Sequence, residues 1–311
     1  MGFLPTFCRA FISLHKRVGL KGPLLTLGNQ DIWANYDDLK SFFKELDCPH
    51  AEAPIIPHTS RFLSDYPGAE NYVHARTFFE MFGIKEYYDI DKFEIDAPQI
   101  LHDLNAPVPE ELRDRFNLIV DSGTIEHIFD VRQVMENMIS MCRLSGWIVH
   151  ITPASNFMDH GFYSFSPCFF YDFYRANGFD DFVCHILQIN PDDVRERSPY
   201  FQYHYGMDLR PLIDPKREVL VFFAARKIRA EPLVIPTQGA YRTEVAGVSE
   251  PVDTSAGYQQ PGHVSIIDRF IPRFLVPYLG PIRPLLGAMR GRIGRRNARQ
   301  VERQYEQLSK I

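Results

Sequence analysis

Phe116-Asn117-Leu118-Ile119-Val120-Asp121-Ser122-Gly123-Thr124 is the stretch on which the reading of the chain turns. Its first five residues are apolar except Asn117, which suits a central parallel strand buried on both faces. An acid and Ser-Gly-Thr end the run. Asp130 then stands where a helix N-cap is needed, and Val131–Arg143 carries Val134, Met138 and Met141 on one stripe. Ser145-Gly146 stops that helix. Trp147–Thr152 reads as the next strand, closed by Pro153.

The alternation continues outward on both sides. Toward the N-terminus, Pro23–Leu27 is a short apolar strand ending at Gly28. Tyr36–Leu46 has helical spacing, with Leu39, Phe42, Phe43 and Leu46 on one face. Asp47–Pro67, rich in proline and histidine, reads as a loop or insertion. Asn71–Phe82 reads as a helix stopped by Gly83. Glu86–Ile90 and Gln99–His102 read as two more strands, the second followed by the turn-like Asp103–Pro107. Toward the C-terminus, Ser166-Pro167 has the chemistry of a helix start, and Gly178 that of its stop. Phe182–Ile189 and Glu218–Ala225 are apolar strands with no long amphipathic helix between them, which predicts an antiparallel pair at one sheet edge. This order predicts an α/β fold with a doubly wound sheet. Ligands of such sheets bind beyond the carboxyl ends of the strands.

Composition bounds the rest. The 311 residues are 45% hydrophobic and 23% charged, which excludes a wholly disordered chain. Five scattered cysteines without a CxxC pair argue against a disulfide scaffold and a structural zinc site. No apolar run reaches the roughly 18 residues of a membrane span, and Met1–Arg17 lacks a signal-peptide core. A reduced, cytoplasmic protein is expected. The net charge is −5, yet Val264–Ile311 holds ten basic and three acidic residues, a net of +7, which leaves −12 elsewhere. An acidic body argues against nucleic acid as a partner. Four segments are expected: an N-terminal helical piece over 1–22, the α/β domain over 23–228, a Pro/Gly/Ser-rich linker over 229–263, and a basic amphipathic tail over 264–311. The tail reads either as a contact for the anionic inner face of a membrane or as a solvated or docked basic helix.

The strand ends carry the candidate chemistry. Asp89 and Asp91 end one strand, where a carboxylate either accepts from vicinal ribose hydroxyls or caps the next helix. Asp103 is placed either for an exocyclic adenine amine or for an Asx-turn. Gly123 permits close backbone approach to a ligand or serves the turn alone.

These residues resemble a family. Phe116–Asp130 is similar to the fourth-strand motif of class I S-adenosylmethionine-dependent methyltransferases: an apolar strand, an acid, then Glu126-His127 before the next helix. Arg143–Pro153 is similar to their Gly-Gly, strand, Pro element, with Ser145 replacing the first glycine. Ser164–Phe179 looks like the helix after that strand, closing on Asn-Gly-Phe, and Asp103-Leu104-Asn105 resembles an adenine-side motif. The resemblance covers about Pro23 to Lys227. It implies a Rossmann-like sheet of seven strands in the order 3-2-1-4-5-7-6, with strand 7 antiparallel. His160–Pro167 further resembles uncharacterised bacterial proteins, some associated with surface-polysaccharide genes.

The resemblance also implies a site. Gly28, Asn29, Gln30 and Asp31 would face the methionine part of S-adenosylmethionine. Asp89 would hold the ribose, with Asp91 as second candidate. Asp103 and Leu104 would frame the adenine, and Asp121, Ser122 and Gly123 would line the pocket beside the sulfonium. One departure stands out: Leu25–Asp31 has a single glycine where the family has a glycine-rich loop. A hydroxyl acceptor needs a base. His160 and His127 are the candidates, with Glu126 adjacent; each also reads as a structural or loop residue. His150 lies inside a strand and reads as packed. His50, His58 and His74 are too loosely spaced for zinc, so no metal is expected. The function expected is O-methylation of a small-molecule or saccharide acceptor. The alternative is a catalytically inactive, methyltransferase-like binding or scaffold protein.

Overall fold

The computed structural model describes residues 2–190 except Pro67, then 193, 198, 200–205, 213–230 and 232–239. Nearly all of these fall in one compact unit, residues 1–203 and 215–242. A second unit comprises residues 204–214 and 243–311, of which His204, Tyr205, Ile213 and Asp214 are described. The expected basic tail, and the linker beyond residue 239, lie outside the described residues.

The chain opens with α1 (Pro5–Val18), started by a proline at its first position and closed by left-handed Gly19. Then come β1 (Leu24–Leu27), β2 (Asp31–Asn35), α2 (Tyr36–Glu45), a short α3 (Arg61–Ser64), β3 (Tyr72–His74) and α4 (Ala75–Glu80). β4 (Tyr87–Asp91), β5 (Ile100–Leu101), β6 (Phe116–Ser122), α5 (Val131–Met141) and β7 (Cys142–Ser155) come next. The last elements are α6 (Pro167–Ala176), β8 (Phe179–Ile189), β9 (Tyr200–Gln202) and β10 (Glu218–Lys227).

Eight strands form the main sheet, ordered β5-β4-β1-β6-β7-β10-β8-β9. The first five are mutually parallel, and β10 runs antiparallel to both β7 and β8. Seven of them reproduce the expected order. The count is corrected by β9, which adds antiparallel to β8, so β8 is not the outermost strand. Two further strands were not foreseen. β2 and β3 pair outside the main sheet, and β3 takes the start of the segment 71–82 that reads as one helix.

Alternate residues of the strands feed two cores, as a pleated sheet covered on both faces requires. Leu118 and Val120 join Phe3, Phe7, Phe11, Phe43, Phe78 and Phe79 under α1, α2 and α4. On the other face Phe170 stacks on His150 and Phe223, with ring centroids 4.6 and 5.4 Å apart. Phe11 is fully buried and touches four phenylalanine rings, so Phe11→Ala is expected to cost about 3–5 kcal/mol in urea unfolding. Residues 232–239 run along α6: Asn177 exchanges two hydrogen bonds with Val234, and Gly239 N–H donates to Asp172.

Candidate functional site

The carboxyl ends of β1, β4 and β6 meet at Gly28. Gly28 is left-handed (φ 72°), and its N–H donates to Ile90 O at 2.8 Å. A Cβ there would lie 3.5 Å from both Asp91 Oδ2 and Thr124 Oγ1. Thr124 Oγ1 donates to Leu27 O at 2.6 Å, tying the turn after β6 to the end of β1. Gly28 is the one left-handed residue in the loop Gly28–Gln30. Asn29 and Gln30 therefore occupy positions with no conformational need for glycine. Gln30 is buried, and its amide donates to Leu27 O at 2.7 Å, bracing the loop from within. Asp31 opens β2, where its carbonyl accepts from Phe3 N–H.

Asp89 and Asp91 share one face of β4 but differ in employment. Asp89 is buried, and its Oδ1 accepts from Gln99 N–H at 3.0 Å, holding β4 to the segment before β5. Burial raises its carboxyl pKa, opposed by that hydrogen bond. Asp91 ends the strand. Its Oδ1 accepts from Phe93 N–H at 2.9 Å, while Oδ2 turns toward Gly28.

Asp103 is an Asx-turn residue here. Its Oδ1 accepts from Asn105 N–H and Nδ2, and Lys92 Nζ lies 2.8 Å from Oδ2. The Lys92 contact and the two Asn105 bonds hold its carboxyl down to about 2. Lys92→Ala is expected to raise that value toward the ordinary carboxylate range of about 4. A carboxyl-carbon NMR titration reads it; an unchanged midpoint would assign the effect to Asn105. Leu104 is buried, and its carbonyl accepts from Asn137 Nδ2 at 3.1 Å. Asn137 also binds Ala106 O and Val108 N–H, so this one side chain shapes the whole 104–108 turn. Sequence reasoning missed it. The available signal was a polar residue beside the apolar stripe of α5.

The Asp121 and Ser122 side chains turn inward. Both are fully buried. Asp121 Oδ1 accepts from Thr124 and Ile125 N–H at 3.1 and 3.2 Å, and Oδ2 sits 2.8 Å from His150 Nδ1. His150 Nε2 lies 2.6 Å from the Tyr174 hydroxyl. Ser122 Oγ donates to Gly2 O at 3.5 Å. Only the backbone of left-handed Gly123 (φ 82°) remains as a candidate liner from this group. His150 is packed, as its place inside a strand predicts.

The third group lies past the ends of β6 and β7. Glu126 and His127 belong to a 3-10 turn over Ile125–His127, and His160 to the loop after β7. Glu126 is fully buried. Its Oε1 stands 3.5 Å from His160 Nε2 and 3.9 Å from His127 Nε2. The Glu126 carbonyl accepts from Phe162 N–H at 2.8 Å, which sews the later loop onto the turn. Gly161 makes this possible, since a Cβ there would meet Glu126 O at 2.8 Å. The His127 ring is 45% exposed, and burial lowers its pKa, opposed by the Glu126 carboxylate. Phe129, Met158 and Phe162 stand exposed on the same two loops. The Tyr163 hydroxyl donates to Phe129 O at 2.7 Å, so it ties the loops together.

No family model matches the chain, and no curated protein matches it. Solved structures do. A possible histamine N-methyltransferase from Thermotoga maritima is 12% identical with a TM-score of 0.34, over 71% of this chain and 91% of that one. A 1,6-didemethyltoxoflavin N1-methyltransferase from Burkholderia thailandensis, solved with S-adenosylhomocysteine, is 13% identical with a TM-score of 0.35, over 72% and 80%. A branched-chain polyamine synthase from Thermus thermophilus is 13% identical with a TM-score of 0.36, over 76% and 60%. The strand order carries the fold assignment: the sheet is Rossmann-like, with seven of its strands in the order 3-2-1-4-5-7-6 and the seventh antiparallel.

Proposed function

We propose that the chain transfers a methyl group from S-adenosylmethionine to an oxygen of a small-molecule or saccharide acceptor. The observation that carries this reading is the meeting of Asp91 Oδ2, Thr124 Oγ1 and left-handed Gly28 at the ends of three adjacent strands. The residues fit the cofactor. Gly28 leaves backbone open to close approach, and Asp91 offers an acceptor for ribose hydroxyls. When bound, S-adenosylmethionine supplies an electrophilic methyl group on a sulfonium. The chain's part is to hold the acceptor in line with it and to take up the hydroxyl proton. Glu126, His127 and His160 are the groups that activate the acceptor, next to the exposed Phe129, Met158 and Phe162 that would seat it.

The rival reading is a binding subunit without activity. It is favoured by the inward-turned Asp121 and Ser122, which leave less of the β6 end open to a ligand. Calorimetry with S-adenosylhomocysteine separates the two. Micromolar binding, with label transfer to an acceptor hydroxyl, is expected; a folded chain that binds none ends the transferase reading. Saccharide as the acceptor class, and membrane contact through the basic tail, belong to the same proposal. No helix among the described residues is long and apolar enough to cross a membrane.

A further inference from the structure

Glu126 poses a problem that hydrogen bonding does not solve. Its carboxylate is fully buried, yet neither oxygen has a hydrogen-bond partner among the described residues. His160 Nε2 is likewise a buried atom without a partner. Native proteins rarely leave such groups orphaned, and an orphaned pair points to a missing ligand. The spacing says which kind. Nε2 of His160 and of His127 stand 3.5 and 3.9 Å from the same carboxylate oxygen. A charge-assisted hydrogen bond would bring them to about 2.8 Å. Two ligands of one tetrahedral ion, with bonds of 2.0–2.1 Å, sit about 3.3 Å apart. One ligand atom from each of the three residues lies within 4.8 Å of the others.

We propose that Glu126, His127 and His160 form a three-ligand site for a divalent transition-metal ion of the zinc class. Imidazole and carboxylate are the donors such ions take, and three protein ligands leave a position open. The His127 and His160 rings are 45% and 31% exposed, so an ion can reach them from solvent. The site is built rather than incidental. The Phe162 and Tyr163 N–H groups both donate to Glu126 O, and Gly161 packs where no side chain fits. Charge favours a cation: the buried Glu126 carboxylate lies within 4 Å of both imidazole rings. The open position would take an oxygen of the acceptor and lower the pKa of its hydroxyl. That role rests on the methyl-transfer reading; the site itself does not.

The test uses the full chain, freed of metal by chelator, titrated with Zn²⁺ by calorimetry and with Co²⁺ by visible absorption, without S-adenosylhomocysteine. One equivalent is expected to bind, with affinity reduced more than about tenfold in Glu126→Gln, His160→Ala and Gly161→Ala. Circular dichroism checks folding. Should the Glu126 variant not fold, His127→Ala, at a half-exposed ring, gives the same reading. A folded wild type that binds no ion overturns the proposal, as does binding equal in wild type and variants. S-adenosylhomocysteine is titrated separately into metal-free protein. Metal binding without cofactor binding supports the site and removes its role in methyl transfer. Cofactor binding without metal binding overturns the site and leaves the methyl-transfer reading standing.

Discussion

Asp91→Ala is expected to weaken S-adenosylhomocysteine binding about a hundredfold, and Asp89→Ala far less. Hydrogen bonds to a charged group contribute about 1.5–3 kcal/mol each, so losing two from the ribose hydroxyls reaches about 3 kcal/mol or more. Geometry decides between the acids. Asp91 Oδ2 is turned toward Gly28 at the end of β4, while Asp89 Oδ1 is occupied by Gln99 N–H one pair of residues deeper. Removing Asp89 would therefore act mainly on stability, by about 1–3 kcal/mol, through the unpaired Gln99 N–H. Asp91→Asn keeps the shape and one acceptor, and should lose about tenfold. Because Asp91 Oδ1 also holds Phe93 N–H, far-UV circular dichroism must show Asp91→Ala folded before its affinity is read. The reverse ranking, with Asp89 dominant, would assign the ribose to Asp89 as the motif resemblance implies.

Much of this was legible in the sequence, for identifiable reasons. The central strands announce themselves because parallel strands buried on both faces are apolar, as Leu118–Val120 is throughout and Ile148–Ile151 is except at His150. Asp130 was readable as a cap because a short acid before an apolar stripe has one economical use; it accepts from Gln133 N–H. β2 and β3 were hidden because they are short and pair across a long insertion, with Phe3 closing onto β2 from the chain start. Local pattern holds no trace of that pairing. The site divides in the same way. Strand-end acids are visible as residues, but their employment is tertiary: Lys92 takes Asp103, Gln99 takes Asp89, and only Asp91 is left turned to the glycine. The Glu126–His127–His160 group was readable as chemistry but not as ligand spacing. His160 arrives from another loop, brought by Gly161 packing on Glu126.

Asp121→Ala is expected to destabilise the chain by about 3–5 kcal/mol in urea unfolding, and to damage the candidate site as well. The fully buried carboxylate serves three donors at once: the Thr124 and Ile125 N–H groups and the His150 ring. Its removal leaves all three without this acceptor, two of them fully buried, and breaking a buried paired group in this way costs about that much. Tyr174→Phe removes only the far end of the chain, the hydroxyl on His150 Nε2, and should cost about 1–2 kcal/mol. The two substitutions share His150, so their effects should couple by about 0.5–3 kcal/mol rather than add. Unfolding curves for the two single variants and the double variant measure that coupling. Strict additivity would mean that Asp121 and Tyr174 do not communicate through the imidazole. Chain order links this network to the site. The turn that Asp121 Oδ1 fixes runs directly into Glu126 and His127, and its Thr124 side chain holds the end of β1 beside Gly28. Asp121→Ala should therefore weaken S-adenosylhomocysteine binding even where enough folded protein remains to measure it, whereas Tyr174→Phe, with the turn intact, should bind like wild type. Equal binding in both variants would separate the core network from the site and leave it a purely structural device.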